Sequence, residues 1–70
     1  MKRFVIYHQS KLDPNNCGYV FRNHKIGFSA VMMPNRARKF KTVAEAQVML
    51  ANIESREGSW YTFDIKEIEV

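Results

Sequence analysis

Thr42-Val43-Ala44-Glu45 is the segment that most restricts the fold. Thr42 is an N-cap residue, and Glu45 three positions later completes a capping box. From there Val43, Ala46, Leu50 and Ile53 fall on one stripe at helical spacing, with Met49 beside them. Alanines at 44, 46 and 51 favour the helix and let it sit close on a sheet. The pattern predicts one helix that ends near Glu54-Ser55, before Gly58.

No other stretch has that period. Phe4-Val5-Ile6-Tyr7 and Tyr19-Val20-Phe21-Arg22 are rich in β-branched and aromatic residues and read as strands. Between them, Asp13-Pro14-Asn15-Asn16 followed by Gly18 forms a dense turn signal within Ser10–Gly18. Asn23-His24-Lys25 is a tight polar turn, and Ile26 to Met32 alternates as a third strand until Pro34 removes a ladder donor and restricts Met33. Trp60 to Ile65 is a fourth strand with Tyr61, Phe63 and Ile65 on one face. The apolar parity then shifts to Ile68 and Val70, which predicts a β-bulge or a bend. The expected architecture is α+β in the order β-β-β-α-β: a mostly antiparallel four-stranded sheet with one helix on one face, forming a single small domain over residues 1–70.

One short helix covers only one face of such a sheet. The other face is expected to carry some of Val5, Tyr7, Val20, Val31, Trp60 and Thr62, and a large apolar patch there marks an assembly or binding surface. Seventy residues also make a small core, and domains of this size often lean on a partner subunit. Both points predict a homo-oligomer; the contrasting expectation is a monomer with an amphipathic open face. The lone Cys17 closes no internal disulfide, which fits a reducing compartment. Met1-Lys2-Arg3 before an apolar run mimics a signal peptide, but the run stops at His8-Gln9, short of an h-region or a membrane span. A cytoplasmic protein without a membrane partner is the expectation.

The charges divide sharply along the chain. Through Lys41 nine bases (Lys2, Arg3, Lys11, Arg22, Lys25, Arg36, Arg38, Lys39 and Lys41) face one acid, Asp13. From Thr42 onward two bases, Arg56 and Lys66, face six acids. Either the molecule has a basic side that attracts polyanions, or the halves interleave in space and the charges pair on a solvated surface.

The densest cationic stretch, Asn35 to Lys41, leads straight into the helix cap. Helix N-termini offer free N–H donors and a positive dipole end, both suited to phosphate. Arg36 and Arg38 would grip phosphate oxygens with paired donors, with Lys39 and Lys41 as point charges. Against this, Glu45 occupies part of the dipole, and alternation turns Ala37 and Phe40 inward, which would leave the cations as a solvated rim. Arg22, His24 and Lys25 form a second basic set at a hairpin tip, and Tyr19 and Trp60 are candidate stacking surfaces for a planar ligand. Enzyme signatures are lacking: there is no Gly-rich phosphate loop, nucleophile elbow or paired-acid motif. Cys17, His8 and His24 lack the spacing of a zinc site and read as a turn cysteine and two surface histidines. No cofactor or metal is expected.

The stretch Ala37 to Ala46, with the pattern Ala-x-x-Phe-x-Thr-x-x-Glu-Ala, resembles a class of small bacteriophage and prophage accessory proteins. That class also has an opening Val-Ile strand, here Val5-Ile6, a Tyr-led second strand, here Tyr19-Val20, and a closing strand rich in Ile, Glu and Val, here Ile65 to Val70. The long Ser10–Gly18 turn departs from it. The resemblance implies a host-takeover or anti-defence protein in the host cytoplasm that binds and diverts a host molecule, and it carries over no site residue. Two functions fit: a non-enzymatic protein that sequesters a nucleotide signal or nucleic acid, or an inhibitor that docks on a host enzyme through the open sheet face or the acidic helix side.

Overall fold

A computed structural model describes residues 1–70. Its elements are β1 (Lys2–Ser10), β2 (Cys17–Asn23), β3 (Phe28–Val31), a 3-10 turn (Pro34–Arg36), α1 (Val43–Glu57) and β4 (Tyr61–Glu69). The strands form one antiparallel sheet in the order β3-β2-β1-β4, so the fold is α+β with α1 across one face. No helix is long and apolar enough to cross a membrane.

The helix begins where its cap requires. Thr42 is extended, and its hydroxyl accepts from the Glu45 N–H at 3.2 Å. At the other end α1 runs to Glu57, a turn-fraction beyond the expected Glu54-Ser55, and the Gly58 N–H donates to the Glu54 carbonyl at 2.9 Å. Ala46 and Ile53 are fully buried and meet Ile6, Val20 and Phe40, with Phe4, Phe28, Met49, Leu50, Phe63 and Ile65 packed around them. Val20 is therefore part of the helix-side core and not of the open face. The open face carries Val5, which is fully buried, with Tyr7, Tyr19 and Val31 half-buried.

The expected irregularity falls elsewhere. β4 pairs with β1 through nine consecutive residue pairs, Lys2↔Glu69 to Ser10↔Tyr61, without a bulge. The parity change at Ile68 is simply a residue of the opposite face. The register shift lies in β2, between Val20 and Arg22. The third strand is also shorter than its alternating run. Gly27 takes a positive φ of 76°, a conformation that glycine adopts without strain, and the turn it makes leaves Ile26 almost wholly exposed.

The connection from β3 to α1 positions the candidate site. β1 and β2 pair only at Tyr7↔Tyr19, His8↔Gly18 and Gln9↔Cys17, and beyond that they separate. The chain crosses β2 through the 3-10 turn and enters the gap. There the Arg38 N–H donates to the Val20 carbonyl at 3.2 Å, and Phe4 and Phe40 exchange backbone bonds at 2.9 and 2.8 Å. Ala37 and Phe40 are both buried, but at three residues apart they do not share a face of an extended chain, so simple alternation does not account for the pair; Arg36, Arg38, Lys39 and Lys41 remain exposed.

Candidate functional site

A groove of about 650 Å³ lies between α1, β2 and the inserted segment. Phe40, Val48 and Met49 supply its apolar surface, and Arg22, Arg38, Asn23, Asn52 and Glu45 its polar surface. Each part traces to local structure. Insertion of Phe40 into the core sets Arg38, two residues earlier on the same face of an extended chain, at the mouth. The irregularity after Val20 breaks the alternation of β2, so that neighbouring Arg22 and Asn23 both reach the groove.

The back of the groove is tied by amides. Asn23 Nδ2 donates to Asn52 Oδ1 at 2.9 Å, which also accepts from Arg56 Nη1 at 3.4 Å. Arg56 Nη2 donates to Asn23 Oδ1 and, at 3.5 Å, to the Gly27 carbonyl. This network fastens the end of α1 to the β2–β3 hairpin. The two groove arginines are differently placed. The Arg38 guanidinium lies 5.5 Å from the Phe40 ring centre and that of Arg22 lies 5.7 Å from Phe21. Neither arginine takes part in an ion pair; the three ion pairs of the molecule involve Met1–Glu69, Lys2–Glu67 and Lys66–Asp64.

The remaining sequence candidates separate. Arg36 lines a different cavity, beside Met32, Met33 and Val31. Lys39 folds back on its own turn, with Nζ donating to the carbonyls of Asn35 and, at 3.4 Å, Ala37. Lys41 is exposed next to the cap, and Lys25 is exposed in the hairpin turn. Tyr19 packs edge-on against Tyr7 with ring centres 5.4 Å apart, on the open face. Trp60 is 58% exposed just before β4. Neither aromatic lines the groove.

Sequence reasoning missed Asn23, Asn52, Val48 and Met49 as groove residues. Their signal was an α1 face with Val48, Asn52 and Arg56 at four-residue spacing, an exposed valine above a poor helix former. It also misplaced His8. That residue is 4% exposed and lies edge-on to Phe28 and Tyr61, with ring centres 4.9 and 5.5 Å away. Its Nδ1 is buried without a hydrogen-bond partner, and burial pushes the imidazole below its ordinary pKa. β1 turns its even-numbered residues toward α1, so a histidine at position 8 enters the core regardless of polarity. Cys17 opens β2 instead of sitting in a turn, and its contact with the Tyr7 hydroxyl, together with burial, raises the tyrosine pKa. No group of three or more His, Cys, Asp or Glu side chains is placed to hold a metal ion. Comparison with protein-family models, curated proteins and solved structures finds no match to this chain.

Proposed function

We propose that this chain is a non-enzymatic binding protein that holds a phosphate-bearing ligand, a nucleotide signal or nucleic acid, in the groove between β2 and α1. The observation that supports this is the convergence of Arg22 and Arg38, from separate elements and free of carboxylate partners, on one concave surface. Planar guanidinium groups match phosphate oxygens with paired donors, and their positions over Phe21 and Phe40 hold them partly ordered before binding. Phe40, Val48 and Met49 give a nonpolar surface for a base or sugar, and Asn52 offers an amide at its edge. The groove volume of about 650 Å³ is in the range of small-molecule sites. Sequestering such a ligand is the anti-defence role that the resemblance to phage accessory proteins implies.

Titration with mononucleotides, cyclic and linear dinucleotides, and short DNA and RNA at two salt concentrations tests the reading. Long nucleic acid should bind with a steep loss on added salt, whereas a nucleotide held by two arginines should show a shallower one. Changing both Arg22 and Arg38 to alanine should weaken binding at least about tenfold, since each charge-assisted hydrogen bond contributes about 1.5–3 kcal/mol. The fold should be unaffected within about 0.5 kcal/mol, as expected for exposed side chains. Unchanged affinity in that variant sinks the assignment. The second reading, inhibition of a host enzyme by contact, is supported by Met32 and Met33, exposed at 74% and 56% beside Val31. Stoichiometric capture of one host enzyme, with no nucleotide bound, would favour it.

A further inference from the structure

β4 is nine residues long and lies at the edge of the sheet, with no strand beyond it. The ladder to β1 determines which of its backbone groups face outward. The Lys11 N–H donates to the Trp60 carbonyl at 2.9 Å, and the Val70 N–H to the Met1 carbonyl at 2.8 Å. Even-numbered residues of this strand therefore bond inward. The odd-numbered Tyr61, Phe63, Ile65, Glu67 and Glu69 hold their N–H and C=O groups toward the free edge. An edge of this length is a template for another strand.

We propose that the strand it takes is β4 of a second copy, antiparallel about a two-fold axis at Ile65, which joins two sheets into one of eight strands. The register follows from face and charge. For both helices to stay on the same side, the axis must be normal to the sheet, and facing residues then share parity. An axis at Asp64 sets that carboxylate opposite itself, and an axis at Lys66 does the same to the ammonium; both are destabilising. With the axis at Ile65, Asp64 faces the partner's Lys66, and Lys66 faces the partner's Asp64. Phe63 then faces the partner's Glu67, and Tyr61 the partner's Glu69. Every outward backbone donor and acceptor of the strand finds a counterpart. Asp64 and Lys66 are exposed at 70% and 48%, and the 3.9 Å between them is the outer limit of an ion pair, so both can engage across the axis. On the helix side a groove of about 370 Å³, lined by Val43, Leu50, Phe63 and Ile65, runs beside this edge. The second copy brings its own Ile65 and Phe63 over that groove and completes a core that seventy residues leave thin.

Light scattering on the full chain up to millimolar concentration at low salt should give twice the 8.2 kDa monomer mass. Asp64→Lys and Lys66→Asp each place like charges across the axis and should weaken dimerisation at least about tenfold, while the double variant restores it. Circular dichroism and dilute-solution melting of each variant separate this effect from a loss of fold. In hydrogen exchange, the amides of Phe63, Ile65 and Glu67 should slow as concentration rises. A mass of 8.2 kDa throughout overturns the proposal. So does a dimer that ignores both single changes or leaves those three amides in fast exchange.

Discussion

The two flanks of β1 are built differently from the same strand. Toward β4 it makes a continuous antiparallel ladder from Lys2 to Ser10. Toward β2 it pairs for three residues and then opens to admit the segment around Phe40. The continuous flank joins β1 to the last strand through the two chain ends, where the Met1 ammonium also meets the Val70 carbonyl at 2.6 Å. The opened flank is held by few backbone bonds and by one large side chain. A gap in a sheet leaves donors and acceptors that must be matched, and the segment from Arg38 to Phe40 matches them for Val20 and Phe4. Arg38, exposed on the same face as Phe40, then forms part of the wall of a groove. The regular flank gives stability, and the interrupted flank gives a concave, cationic surface.

The sharpest way to break the contrast is Phe40→Ala. Phe40 is 7% exposed and anchors the insertion in the helix-side core. Its loss should cost about 3–5 kcal/mol in denaturant unfolding. Hydrogen exchange should rise first at Val20 and Phe4 neighbours, before the ladder to β4 loosens. Equal loosening on both flanks would mean that the sheet unfolds as one unit and that the contrast has no energetic content.

His8 stands where both flanks are intact, opposite Gly18 on one side and Phe63 on the other. Its folded pKa is depressed by burial, so the unfolded chain binds the proton more readily. The consequence is stability that is present above the unfolded value of about 6.5 and declines as pH falls below it. His8→Phe should abolish that decline. At neutral pH it should leave stability equal or higher, since an unmatched buried polar group costs about 1–3 kcal/mol. An acid limb that persists in the variant would place its origin elsewhere.

The smallest effect is expected at Thr42, where the inserted segment turns into α1. Thr42→Ala removes the bond to the Glu45 N–H and should lower stability by about 1 kcal/mol. Thermal melts of wild type and variant measure it. A much larger loss would show that the cap also fixes the path of the insertion, making the opened flank depend on a local signal.

That local signal is what the chain carries most plainly. Thr42 with Glu45, the apolar stripe ending at Ile53, and the strand-like runs at Phe4, Tyr19 and Phe63 depend on neighbours within a few residues, and they determine the α+β order of elements. The burial of Ala37 and Phe40, the two apolar residues of a cationic run, belongs to the same class. Pairing was decided elsewhere. Nothing near Ile68 tells whether its parity change is a bulge or a change of face; the partner strand β1, far away in sequence, imposes the uninterrupted register. The shift after Val20 likewise occurs where the chain makes room for Arg38. The grouping of the cations is of this kind too. Arg36 and Arg38 are two residues apart yet face different cavities, while Arg22 and Arg38 share a groove. Short-range sterics and capping fix what each segment becomes. Which segments meet depends on burying Phe40, Ile6 and Ile53 together while matching the backbone groups that the gap between β1 and β2 leaves open, and only the closed tertiary structure satisfies both at once.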